Sequence, residues 1–323
     1  MTLGSHFLEV HSLQFDSEEK YLAASYTDGI IRIFNSFSGK ISYTLNSAFK
    51  SEQEKYAFTC IRWRPQKGMK YSQILSAVSI DGCIYQWNLN MISGNNPPKL
   101  WMHKIIPEAD LYCLDYNYDG TKFAVAGKLC EIKIFDEIKK ECILDLISAG
   151  PFLPGHSNRI YSIKFTDEPN LLLSGGWDRT LKIWDLRNSQ VVASIVGLEI
   201  ASDTIDSKGD RIFAGNHRSS NTIQEFSLTK QSLINNYCWD MKNPSRSPLI
   251  YSLKLSYPSA QYLIACGSEP NEARIFDISK NCTFVCGISG LPKPCFATDF
   301  GPRTNIIAVG SADGYVRMYN WKE

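Results

Sequence analysis

One short pattern recurs along this 323-residue chain and limits its fold more than any other feature. An apolar run ends in an aromatic followed by a small polar residue: Phe34-Asn35, Trp87-Asn88, Phe135-Asp136, Trp184-Asp185, Phe226-Ser227, Phe276-Asp277 and Tyr319-Asn320. The aromatics stand on average about 47.5 residues apart, a period typical of repeat architectures whose units bury their faces only against one another. Within each unit apolar and polar residues alternate with period two, which specifies strand rather than helix. The fourth unit reads as four short strands, HSNRIYSIKF, LLLSGG, TLKIWDL and QVVASIV, with turn residues between the first three. Asp28-Gly29, Asp81-Gly82, Asp178-Arg179 and Asp313-Gly314 each begin six residues before the closing aromatic. Asp before Gly suits a tight reversal with positive φ. The polar insertions 46–55, 93–98 and 242–248 fall between strands. At ~150 residues per domain the length suggests two domains, but seven units use up the chain. One all-β domain spanning 1–323 is therefore expected.

These residues resemble the WD-repeat (WD40) family, and the resemblance extends over essentially the whole chain. It implies a seven-bladed β-propeller of four-stranded antiparallel blades around a central channel. The fourth unit matches best, with Gly155-His156, Ser174, Asp178 and Trp184-Asp185. In the family such a His, Ser, Asp and Trp form a buried hydrogen-bonded tetrad, which implies that role for His156, Ser174, Asp178 and Trp184. The second unit keeps Ser76, Asp81 and Trp87 without the Gly-His; the first keeps His6 and Asp28 with Phe34 for the Trp. The third, fifth and sixth lack the turn Asp. After Tyr319-Asn320 only three residues follow, leaving none for an outer strand of the last blade. In the family the N-terminal segment usually supplies that strand, yet here the residues ahead of the first unit are few. The closing strand is expected to be very short or missing, leaving either a tolerated three-stranded blade or an edge at Tyr315–Tyr319 that a partner strand or neighbouring chain covers by edge pairing.

Composition narrows the function. Apolar residues at 44% and charged residues at 21% are those of an ordinary globular chain, and the net charge of +1 offers nothing to blanket a phosphate backbone. No apolar run approaches a membrane span, and MTLGSHFLEV lacks the layout of a secretory signal. Ten Cys without such a signal read as free thiols in a reducing cytoplasm. Cys282 and Cys286 have no His nearby, so no metal site is expected. There is no GxxxxGK[ST], HExxH or GxSxG, and the five His are dispersed. No enzyme, no cofactor, no small-molecule substrate, no nucleic acid and no membrane insertion are expected.

What remains is recognition of other proteins within an assembly, in the cytoplasm, with the cytoskeleton or cilium as the alternative location. In WD propellers ligands often meet the narrow top face, at positions three and five after the His and just before the turn Asp. Carried across, these positions give Tyr112, Arg159, Tyr161, Trp177, Tyr251 and Phe296 as the partner-binding surface; the fifth unit offers only Ala201. Tyr, Trp and Arg are enriched at binding hot spots. The alternative is a substrate receptor of a cullin-RING ubiquitin ligase. Leu171 to Arg187 resembles the motif by which WD proteins dock on the ligase adaptor, with Asp178, Asp185 and Arg187 carrying the signal.

Overall fold

The computed structural model describes residues 1–4, 8–46, 56–66, 73–91, 99–104, 109–147, 153–243 and 246–322. His6 and nearly all of the insertions 46–55 and 93–98 lie outside the described residues. Seven four-stranded antiparallel sheets form the blades of a propeller. Their inner strands are Val10–Phe15, Phe58–Trp63, Leu111–Tyr116, Ile160–Phe165, Ile205–Lys208, Leu249–Leu255 and Cys295–Phe300. The strands of blades 1 to 6 follow chain order from the channel outwards.

The closing aromatic of the sequence repeat explains why the blades stack. Seven clusters of buried apolar side chains occur, and each draws on two adjacent blades. Phe34, Trp87, Phe135, Trp184, Phe226 and Phe276 each pack into the cluster shared with the preceding blade. A blade taken alone would expose half of two clusters, so burial rewards only the assembled ring. Blade 7 departs from the pattern. Tyr319 is 38% exposed, and Trp321 packs instead, edge-on to Tyr262 and Phe300.

The turns have the predicted chemistry. Asp28, Asp81, Asp178 and Asp313 each accept the backbone N–H two residues on, at 3.0–3.1 Å. The residue after each has φ between 61° and 85°. Cys130 and Asn221 adopt the same left-handed conformation in blades 3 and 5, without the Asp.

Blade 7 corrects the expectation of an open edge. Thr2–Gly4 forms its outer strand, pairing Thr2 with Arg317, Leu3 with Val316 and Gly4 with Tyr315. The strand is as short as expected, but it is present, and it occupies the edge that a partner was expected to cover. Three residues suffice because Leu3 is buried in the cluster shared by blades 7 and 1, and Met318 N–H donates to Met1 O at 2.8 Å. Gly4, at φ 113°, lies so close to Gly314 that a Cβ would sit 2.3 Å from its carbonyl oxygen. A second clasp joins the same blades lower down. Buried Glu19 accepts the N–H groups of Arg303 (2.8 Å) and Thr304 (2.9 Å).

Candidate interaction site

Six of the seven inner strands carry a register shift at their second or third residue. A bulge leaves one residue out of the ladder and re-aims its side chain. The residues skipped are His11, Thr59, Tyr112, Tyr161, Tyr251 and Phe296. The repeated irregularity thus places four of the six expected partner-binding residues at the upper mouth of the channel. Arg159 and Trp177 lie beside Tyr161, where Trp177 N–H bonds Arg159 O at 3.0 Å.

These residues gather into two groups. On blades 3 and 4, Tyr112 stacks on Tyr161 with centroids 4.7 Å apart. Tyr161 meets Trp177 at 5.2 Å, and the Arg159 guanidinium lies over Trp177 at 5.5 Å. Tyr112 O–H donates to Asp110 at 2.8 Å; burial and that carboxylate raise its pKa. Trp177 remains 48% exposed. On the opposite arc Tyr251 sits edge-on to Phe296 at 4.9 Å, flanked by His217 and by His11. Burial lowers the pKa of both histidines, so they are neutral rings near pH 7.

Sequence reasoning missed the fifth position. Its inner strand starts late, at Ile205, and has no bulge. Counting three back from Asp206, as Tyr161 precedes Lys164, leads to Asp203 and not to Ala201. Asp203 bridges to Ser252 of blade 6 and sends its carboxylate across the channel. One oxygen accepts from Arg62 of blade 2 at 2.6 Å and from Lys254 of blade 6 at 2.7 Å. Burial works to raise its pKa, but the two cations outweigh it and hold it far below the carboxylate range. Asp203 and its partners divide the channel into a small upper pocket and a lower cavity of about 510 Å³.

In blade 4 the Trp184 indole donates to Ser174 Oγ at 2.7 Å. An indole N–H can only donate, so the Ser174 hydroxyl proton points to His156 Nε2, also 2.7 Å away. His156 Nδ1–H then donates to Asp178 at 2.7 Å, and Thr180 and Ser157 donate to the same carboxylate. Burial lowers the His156 pKa. For Asp178 burial opposes ionisation, yet these donors hold the pKa down at about 2. Between blades 2 and 3 another network replaces this one. Ser76 in blade 2 bonds the Tyr116 hydroxyl of blade 3 at 2.6 Å, and Tyr116 bonds buried Glu137. Asp81 bonds Tyr85 at 2.8 Å instead.

The third set of expected residues is engaged locally. Asp178 belongs to the chain above, and Arg187, 70% exposed, forks onto Asp185 at 2.6–3.2 Å.

The family described as WD domain, G-beta repeat matches residues 150–185. The anaphase-promoting complex subunit 4 WD40 domain matches residues 3–66. Apoptotic protease-activating factor 1 of Danio rerio is 22% identical over 99% of this chain and 24% of its own length. The WD repeat-containing protein 91 homolog of Dictyostelium discoideum is 25% identical over 56% of this chain and 21% of its own length. For the ribosome biogenesis protein WDR12 homolog of Oryza sativa subsp. japonica the figures are 22%, 62% and 41%. The chain thus spans less than half the length of each of these relatives. With blades that follow the repeat in number and register, and its fourth unit matched by the repeat model, the chain is a seven-bladed β-propeller that is similar to WD-repeat (WD40) proteins.

Proposed function

We propose that this propeller is a non-enzymatic scaffold that docks a partner protein on its upper face, with Trp177, Tyr161, Tyr112 and Arg159 as the anchor. One observation carries the reading: a half-exposed Trp continues a stacked pair of Tyr rings under a guanidinium, beside a channel mouth. Such a ladder presents large rigid apolar area with little side-chain entropy left to lose. Tyr251 and Phe296 supply a second contact on the far arc. The named relatives range from apoptotic protease activation to ribosome biogenesis, so the family suggests the mode of action and leaves the partner to these side chains. The adaptor-docking reading asks Arg187 to exchange Asp185 for a carboxylate of the adaptor, which makes it the weaker of the two.

The test is affinity purification with the double variant Arg159→Glu, Trp177→Ala against wild type. Loss of at least one stoichiometric partner, with an unchanged melting curve, is the expected result. Retention of every partner would refute the upper face as the docking surface.

A further inference from the structure

The residue three places below each of the six bulges, and three below Asp203 in blade 5, forms a second ring inside the channel. In blade order it reads Gln14, Arg62, Asp115, Lys164, Asp206, Lys254 and Asp299. The register of the inner pairs puts all seven at one level, each just before the residue that pairs towards the closing aromatic. From blade 2 to blade 7 the charges alternate strictly. The acceptors share a further task, each bonding the backbone N–H of the next blade. Asp115 takes Phe165 N–H at 2.9 Å, Asp206 takes Leu255 at 2.9 Å and Asp299 takes Phe15 at 2.8 Å. Gln14 takes Trp63 N–H at 2.6 Å. Seven is odd, so a fully alternating ring cannot close. Blades 7 and 1 both need acceptors, and a neutral Gln14 stands where a second acid would repel Asp299.

The pairing leaves one charge over. Arg62 lies 3.5 Å from Asp115, and Lys164 lies 3.0 Å from Asp206. Lys254, which would flank Asp299, is drawn up to Asp203 at 2.7 Å. Asp299 therefore has no cation within 4 Å among the described residues. It lines the 510 Å³ lower cavity, whose rim includes the exposed rings of Tyr118 and Tyr257. A carboxylate out of bulk water without a paired counter-ion is costly, and a cation arriving from outside would offset part of that cost.

We propose that the lower cavity is a second binding site of this propeller, taking a basic side chain from an extended segment of a partner protein, with Asp299 as its counter-ion. The volume exceeds what one ammonium or guanidinium fills, and the aromatic rim suits the flanking peptide. This points to a protein segment over a free amine. The site lies on the face opposite Trp177 and is independent of the upper-face reading.

Calorimetry on the full chain at neutral pH, with an acetylated and amidated pentapeptide carrying one central arginine, tests the proposal. Binding is expected to be at least about tenfold tighter than for the citrulline analogue, which keeps the shape and removes the charge. Asp299→Asn should abolish that preference, while Trp177→Ala should leave it unchanged. Equal affinity for the two peptides, or an unaltered preference in Asp299→Asn, would overturn the site. Failure of the arginine peptide to bind at millimolar concentration would do the same. Methylguanidinium binding as tightly as the peptide would overturn the assignment to a protein segment. The citrulline control decides the question even if the Asp299 variant folds poorly.

Discussion

Ser174 is the smallest member of the blade 4 chain and the one through which the others communicate. Its single oxygen accepts the Trp184 proton and passes its own to His156. Ser174→Ala would leave a buried indole N–H and a buried imidazole nitrogen without partners. The expected loss is about 2–4 kcal/mol of folding stability, read from the urea midpoint. Arg187→Ala should leave that midpoint nearly where it is, because the guanidinium is 70% exposed and its pair with Asp185 is screened by solvent on that side. The types of these residues were readable from sequence, since a Gly-His, Ser, Asp, Trp-Asp series occurs once with the family spacing. The Ser76–Tyr116–Glu137 substitute was not, because Tyr116 and Glu137 come from the neighbouring blade and no periodicity links them to Ser76.

At the scale of the element, two three-residue features decide more than their length suggests. The bulge turns an otherwise inward or outward residue toward the mouth, so the mouth is built by a repeated irregularity of the strand. The N-terminal strand closes the ring with three ladder pairs. Gly4→Ala tests that closure. A Cβ would meet the Gly314 carbonyl at 2.3 Å in a φ region that L residues rarely adopt. The strand must detach or distort, at a cost of about 1–3 kcal/mol. Hydrogen exchange at the blade 7 amides from Val316 to Met318 should accelerate before the other blades change. Unchanged protection there would show that the closure does not depend on the Gly4 approach. The sequence indicated how few residues were available for this strand; that three are enough follows from the burial of Leu3 and the backbone bond to Met1, which only the assembled ring provides.

For the whole molecule, the channel ring couples charge to closure at the seam of blades 7 and 1. Burial pushes Asp299 from an ordinary 3.8 up to about 6, against the opposing effects of the Phe15 and Phe300 N–H groups and of Lys254 and Arg62. Gln14, on the adjoining blade, adds no charge. The sign of the pH dependence follows. Between about pH 4 and pH 6 the unfolded chain has released this proton and the folded chain still holds it, so this residue's contribution to stability falls as pH rises. Above pH 6 the cost is fully present. Asp299→Asn keeps an acceptor for Phe15 N–H and cannot ionise. Its melting temperature should exceed that of wild type at pH 8, and the gap should close as pH falls to 4. A gap independent of pH would mean that the substitution acts through packing.

By itself the sequence determined the repeat, the strand class, the number of blades and the turn chemistry, since all four are local or periodic properties of the chain. It also marked Tyr112, Tyr161, Tyr251 and Phe296 near the starts of inner strands, with Arg159 and Trp177 beside them. Tertiary structure decided the rest. The closing strand exists because two ends roughly 300 residues apart meet. The aromatics form two groups because blades 3 and 4 adjoin, as do 5 to 7 and 1. Asp203 reaches the lumen because blade 5 starts its inner strand late. Asp299 is left unpaired because Asp203 takes the lysine beside it. Each of these depends on which blades face one another across or around the ring, and a linear pattern carries no record of that.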